Sequence, residues 1–248
     1  MMIMKPKFII SGSMKCGTTA LYDFICESED VVSAKQKEIH YFSLNYEKGH
    51  DWYDSFFEKG ARITGEASPT YFDEAKTTLI PKLIKRDLPG VKVIILVRDP
   101  VERAVSHYNH YCKVNKFQEV LNLDPDEFFS LDFSGVFSMS RSIDYYLSKV
   151  LDYSFYYRKY LNYYSVFGDD LLVVRNESLM NDPISTLKLV YKHLGIKFES
   201  KETFSKIKYS AGTSKSQLST DVESKLKDYF NDDYQRFLYS ADKDGVLV

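Results

Sequence analysis

The sequence predicts an α/β fold: a single domain whose central, mainly parallel sheet is flanked by helices and opened by a P-loop-like strand, loop and helix. Three observations predict it. Apolar runs such as Val91 to Val97 lack the alternation of a half-exposed strand and suit strands covered on both faces. Strand-like runs alternate with stretches of helical periodicity. The first apolar run breaks into a Gly-rich, Lys-bearing turn that leads into a helix. At 248 residues the chain can bury a sizeable core, and no repeat or low-complexity linker divides it, so one domain is placed over residues 1–248.

Phe8 to Ser11 reads as the first buried strand, and the helical pattern after the turn begins at Thr18. Further strands are expected over Arg62 to Gly65, Val91 to Val97 and Leu171 to Arg175, with helices beginning near Thr77, Val101 and Ile143. Asn181-Asp182-Pro183 is a helix start, with Asp182 as cap and Pro183 at the first helical position. That helix carries Leu187, Val190, Tyr191 and Leu194 on one face and stops at Gly195. Leu226, Tyr229, Phe230 and Phe237 give the tail from Val222 to Phe237 an apolar stripe that should pack back on the body.

The turn between strand and helix is the first site candidate. A helix N-terminus presents unsatisfied N–H groups and the positive end of the helix dipole, which together suit a phosphate. A nucleoside-triphosphate loop reads GxxxxGK[ST]. Here Gly12 and Gly17 keep the spacing, but Thr18 stands in the Lys position and the Lys is Lys15. The second candidate is Arg98, at the C-terminal end of the longest apolar strand, where open α/β sheets bind ligands. With Ser106 on the following helix it would grip a second phosphate. The alternative is that Arg98 and Arg103 pair with Asp99 and Glu102.

Bulk properties narrow the classes. The 33 basic and 35 acidic residues nearly balance, which argues against nucleic acid as a partner. Cys16, Cys26 and Cys112 form no CxxC pair and leave one over in any pairing, which suits a reduced, cytoplasmic setting. The start MMIMKPKFIISGS is too short for a secretion signal, and no apolar run approaches a membrane span. The 20 Tyr and 17 Phe residues are expected mainly in core and interface, with stacking on a sugar or planar ligand as the second use. Asn176-Glu177-Ser178 matches a glycosylation sequon and is read as incidental.

GSMKCGTTAL, KEIHYF, GEASPTYF and RDPVERAVSHY, in that order, resemble the sulfotransferases that use 3'-phosphoadenosine-5'-phosphosulfate (PAPS). The pattern is most similar to the heparan-sulfate N-deacetylase/N-sulfotransferase and 3-O-sulfotransferase branch and its bacterial relatives. The resemblance is close from Lys7 to Tyr111 and looser from Phe167 to Gly195. It implies PAPS as donor, 3',5'-adenosine bisphosphate (PAP) as product, no required metal, and a glycan or small-molecule acceptor. Lys15 would contact the bridging oxygen and sulfonate, with Cys16, Gly17, Thr18 and Thr19 around the 5'-phosphate. For Cys16 the alternative is simply filling a small gap. Arg98 and Ser106 would hold the 3'-phosphate. Gly212, Thr213, Ser214 and Lys215 would close over it, unless they form a polar surface loop. Glu38 matches the family's general base, and His40, two residues on, is its rival. Glu66, Trp52 and His107 are the acceptor-side candidates, with helix packing as the other reading of His107. The segments Tyr145 to Tyr164 and His50 to Phe57 are the expected acceptor walls.

One departure stands out. Heparan-type enzymes carry a Lys after the Glu of GEASPTYF, and here Ala67 follows Glu66. Lys35, Lys37 and Lys215 are the candidates to replace that cation. Two rival functions remain open: a small-molecule kinase with a divergent loop, and a non-catalytic nucleotide- or sulfoglycan-binding protein.

Overall fold

The structure, a computed structural model, describes residues 5–58, 60, 63–114, 123–129, 141–205 and 217–248, without the side chains of 141–144 and 205. Within it the chain forms two compact units, Met1–Arg98 with Arg158–Ile207 and Leu238–Val248, and Asp99–Tyr157 with Lys208–Phe237.

The first unit holds a five-stranded parallel sheet. Its strands are β1 (Phe8–Gly12), β2 (Val31–Ser33), β3 (Ile63–Ala67), β4 (Lys92–Val97) and β5 (Leu171–Arg175), in the order β2-β3-β1-β4-β5. The short strand β2 went unseen in the sequence because its three residues span too little chain to show a period. Phe8, Ile10, Ile94 and Leu96 join one apolar cluster with Leu21, Ile25 and Val190. Ile9, Val93, Ile95 and Val97 alternate with them and are also fully buried. Both faces are therefore covered, as a parallel sheet requires.

The topology fixes where a ligand would sit. From β1 the chain turns toward β3 and β2, and from β4 it turns the other way, to β5. Adjacent strands β1 and β4 thus flank the switch point, and the crevice outside their C-terminal ends is the default binding position of such a sheet. The expected helix at Asp182 forms as Pro183–Leu194, with the Asp182 carboxylate accepting from the Ser185 amide at 3.1 Å and Gly195 ending it at φ +69°.

The second unit is helical. Helix α6 (Pro100–Val114) is capped by Asp99, whose carboxylate accepts from the amides of Val101 and Glu102 at 3.0 and 2.9 Å. Tyr108, Phe128, Leu147 and Val150 pack there with Val222, Leu226 and Phe230, so Leu226 and Phe230 of the stripe expected on the tail meet a core while Tyr229 stays exposed. No helix among the described residues is long and apolar enough to cross a membrane.

Candidate functional site

The loop between β1 and α1 (Thr18–Cys26) is held open by three side chains that lie far away in sequence. The fully buried Asp73 accepts from the Ser13 hydroxyl and, at 3.0 Å, from the Met14 amide. Buried Asn176 donates from Nδ2 to the Cys16 carbonyl at 2.9 Å. Tyr163 and Ser11 share a 2.5 Å hydroxyl pair below the loop. Lys15 takes φ +71° and Gly17 φ +97°, so the chain reverses sharply before the helix. A Cβ on Gly17 would lie 2.8 Å from Asn176 Nδ2, which is why a glycine stands here.

Helix α1 starts with no side-chain cap and no acidic residue in its first turn. Its leading N–H groups are thus left for an outside acceptor, and a phosphate fits that donor set. The structure also explains the sequon: Asn176 is buried, and its amide nitrogen already serves the loop.

Beside the loop lies the turn from Lys37 to His40, just before α2 (Tyr41–Leu44). Lys37 Nζ sits 2.7 Å from Glu38 Oε1 and donates to Thr19 Oγ1 on α1 at 2.6 Å. His40 Nε2 is 3.4 Å from Glu38 Oε2, and His40 Nδ1 lies 2.8 Å from Thr70 Oγ1. Thr70 Oγ1 is in turn 2.7 Å from Ser43 Oγ. With His40 donating to Glu38 from Nε2, Nδ1 takes the Thr70 hydroxyl proton and both ring nitrogens are engaged. The His40 bond foremost, and then the Lys37 ammonium, hold the Glu38 carboxyl down to about 2 against the opposing pull of partial burial.

Glu66, at the end of β3, is wholly buried. Its carboxylate accepts from Tyr53 at 2.7 Å, Tyr71 at 2.8 Å and Ser68 at 2.5 Å. Burial raises its pKa despite those donors. Ser68 Oγ also accepts the His40 amide at 2.9 Å. Glu66 therefore acts on the turn that carries Glu38 and His40, through Ser68, rather than touching an acceptor as the sequence suggested.

The other expected residues fall in varied places. Arg98 is buried at the C-terminal end of β4, the position the switch point demands. Ser106 and His107 belong to α6 in the second unit. His107 is buried, lies 3.3 Å from Arg103 and stacks on Tyr153, which is the packing role. Arg103 bonds Ser154 and the Val150 carbonyl, and Asp99 caps the helix. Trp52 packs edge-on against Phe56 with Lys48 over its ring. Cys16 is fully buried in the core, the gap-filling role. Lys35 donates to the Ser55 carbonyl. Gly212, Thr213, Ser214 and Lys215 lie outside the described residues. Among the described residues no group of three or more His, Cys, Asp or Glu is placed to hold a metal.

Asp73, Ser68 and Thr70 were not singled out from sequence, and Asn176 was noticed only as part of an incidental sequon. Their chemistry is carried by contacts across the fold: Ser68 and Thr70 lie inside GEASPTYF and Asp73 directly after it, yet only the folded chain shows what they hold.

Comparison with known proteins agrees with this geometry. The human bifunctional heparan sulfate N-deacetylase/N-sulfotransferase 2 is 31% identical over 208 residues, covering 77% of this chain and 22% of that protein. Human heparan sulfate glucosamine 3-O-sulfotransferase 5 is 31% identical over 202 residues, covering 77% of this chain and 54% of its own length. The membrane-associated sulfotransferase kil1 of Dictyostelium discoideum is 38% identical over 109 residues, 42% of this chain and 22% of that one. The chain thus spans between about a fifth and about half of these relatives. In structure it is similar to a sulfotransferase from Alicyclobacillus acidocaldarius, with TM-score 0.74, 22% identity and 95% of each chain covered, a likeness of fold. The family model for the sulfotransferase domain matches residues 5–243, and the chain belongs to the sulfotransferase family.

Proposed function

We propose that this chain moves the sulfuryl group of PAPS to a hydroxyl or amine of a glycan or small-molecule acceptor. The observation that carries this reading is the meeting of two functional parts in one place. An uncapped helix N-terminus at the sheet's switch point stands beside a carboxylate, Glu38, joined to that helix through Lys37 and Thr19. Lys15 and the loop from Cys16 to Thr19 would hold the 5'-phosphosulfate, and Arg98 the 3'-phosphate. Ser106 is proposed for the 3'-phosphate on its motif, and Gly212, Thr213, Ser214 and Lys215 as the closing segment. When bound, PAPS supplies an activated sulfuryl group, so the protein's work is positioning and charge stabilisation.

Glu38 is proposed as the base that takes the acceptor's proton. His40, with both ring nitrogens engaged, orients it instead. The three cysteines, which form no CxxC pair, suit a reducing, cytoplasmic setting. The near-even charge of the chain favours a neutral or cationic acceptor over a long polyanion.

The test is a thermal-shift comparison of PAP with ATP and Mg²⁺, followed by labelled PAPS offered with a panel of glycans, alcohols and amines. Stabilisation by PAP and label transfer that Glu38→Gln cuts by roughly 10²–10⁴ support the reading. Stronger protection by ATP points to a kinase, and an inert wild type that still binds PAP points to a binding protein.

A further inference from the structure

At the C-terminal end of β3 the fold fixes where Lys37 stands. The Ala67 amide donates to the Lys37 carbonyl at 3.0 Å, so Lys37 is backbone-paired to Ala67 at the C-terminal end of β3. Ala67 itself is fully buried in the apolar cluster and offers no room for a charge. Lys37 instead sends its ammonium to Thr19 Oγ1 and Glu38 Oε1, at 2.6 and 2.7 Å. It stands one hydroxyl away from the helix start that the loop presents.

This arrangement sets a chemical problem. A carboxylate paired with a lysine ammonium and holding a histidine hydrogen bond is a weak acceptor for a proton. Thr19 and Glu38 compete for one flexible ammonium, whose side chain keeps partial access to solvent and whose stem turns easily. Asp23, one turn further along α1, also feels the Lys37 charge. The groups facing Lys37 are thus Glu38 on its own turn, with His40 behind it, and Thr19 and Asp23 on α1.

We propose that Lys37 is a catalytic cation that pairs with Glu38 in the donor-free protein and turns onto the sulfonate when the donor binds. The move takes the ammonium off Glu38 and leaves its carboxylate, still oriented by His40, to act as base. This inference rests on the sulfuryl-transfer reading above. In the step it serves, the acceptor's oxygen or nitrogen forms the new bond to sulfur and gives its proton to Glu38. The bond from sulfur to the bridging oxygen breaks, and its electron pair stays on the 5'-phosphate. Lys15 stabilises that leaving oxygen, and Lys37 stabilises the three sulfonate oxygens as charge shifts across them.

The experiment is calorimetric titration of PAP and of PAPS into wild type, Lys37→Met and Lys37→Arg, because the two nucleotides differ only in the sulfonate. Lys37→Met is expected to hold PAP within about twofold of wild type and to lose roughly tenfold or more in PAPS affinity, the loss of one charge-assisted contact. Lys37→Arg is expected to restore most of that loss. In the donor-free protein, carboxyl NMR should show Glu38 titrating at higher pH in Lys37→Met than in wild type. Unchanged PAPS affinity in Lys37→Met, or equal losses for PAP and PAPS, overturns the proposal while the sulfotransferase reading stands. A wild type that binds neither nucleotide overturns both.

Discussion

Asp73 and Met14 stand 59 residues apart in sequence, yet the Asp73 carboxylate holds the Met14 amide at 3.0 Å and so fixes the first bend of the phosphate loop. The same carboxylate accepts from the Ser13 hydroxyl. A carboxylate next to a site proposed for phosphate is at first sight out of place. Here it takes the Met14 N–H group, and the start of α1 keeps no side-chain cap.

Replacing Asp73 by Ala should therefore damage loop and fold together. Two buried donors lose a charged acceptor, and the cost is about 2–4 kcal/mol in urea unfolding. Asp73→Asn keeps one acceptor oxygen and should cost less, with PAP affinity falling in both variants in the same order. If Asp73→Ala binds PAP as well as wild type does, the loop does not depend on this carboxylate.

Glu66 gives a second test, since charge and hydrogen bonding can be separated there. Glu66→Gln retains an oxygen for Tyr53 and Tyr71 and removes a carboxylate that burial disfavours. Its unfolding free energy should stay within about 1–2 kcal/mol of wild type, whereas Glu66→Ala strands two tyrosine hydroxyls and should lose roughly 3–5 kcal/mol. The pKa of Glu66 is raised in the fold, so its contribution to stability is full below the ordinary carboxyl range and falls as pH rises through the folded value. Glu66→Gln should remove that part of the pH dependence. A melting-temperature profile from pH 4 to 8 that is parallel in wild type and Glu66→Gln would count against the assignment.

Much of this fold was legible because its strongest features are local. The buried runs around Phe8 and Val93, the Asp182–Pro183 start and the Gly195 stop each carry their cause in neighbouring residues. The loop, Glu38 and Arg98 were likewise visible as motif residues. The parts played by Asp73, Asn176 and Ser68 were not, although Ser68 lies within GEASPTYF and Asn176 within the sequon, because each acts on a residue that only the folded chain brings near. Glu66 shows the same limit from the other side. Its motif was plain, but burial among two tyrosines, which only the structure reveals, makes it a support for the turn beneath Glu38.

Gly17 should tolerate no side chain, for two separable reasons. An added Cβ meets Asn176 Nδ2 at 2.8 Å, and φ +97° is strained for any L residue. Gly17→Ala should cost about 1–3 kcal/mol and weaken PAP binding. Combining it with Asn176→Ala relieves the clash but not the backbone, so the double variant should be more stable than additivity of the two single losses predicts. Strict additivity in a double-mutant cycle would show that the two residues do not press on one another.

The charge state of Glu38 gives the last prediction. Its carboxyl is held down to about 2, first by the His40 hydrogen bond and then by Lys37, against partial burial. A depressed carboxyl contributes stability above its unfolded value and loses it as pH falls through the folded one, so the window runs from about 4.5 down to about 2. Removing the larger cause with His40→Phe should shift the Glu38 titration, followed by carboxyl NMR, upward toward the ordinary range. At pH 3 the wild-type carboxyl is then ionised, and that of His40→Phe should be protonated to a greater extent. The Lys37 ion pair survives this substitution, so the shift should stop short of the free value, and adding Lys37→Met should carry it further. A titration that does not move in His40→Phe would mean that the 3.4 Å approach of Nε2 carries no hydrogen bond. The case for His40 as the group that orients the base, and not the base itself, would fall with it.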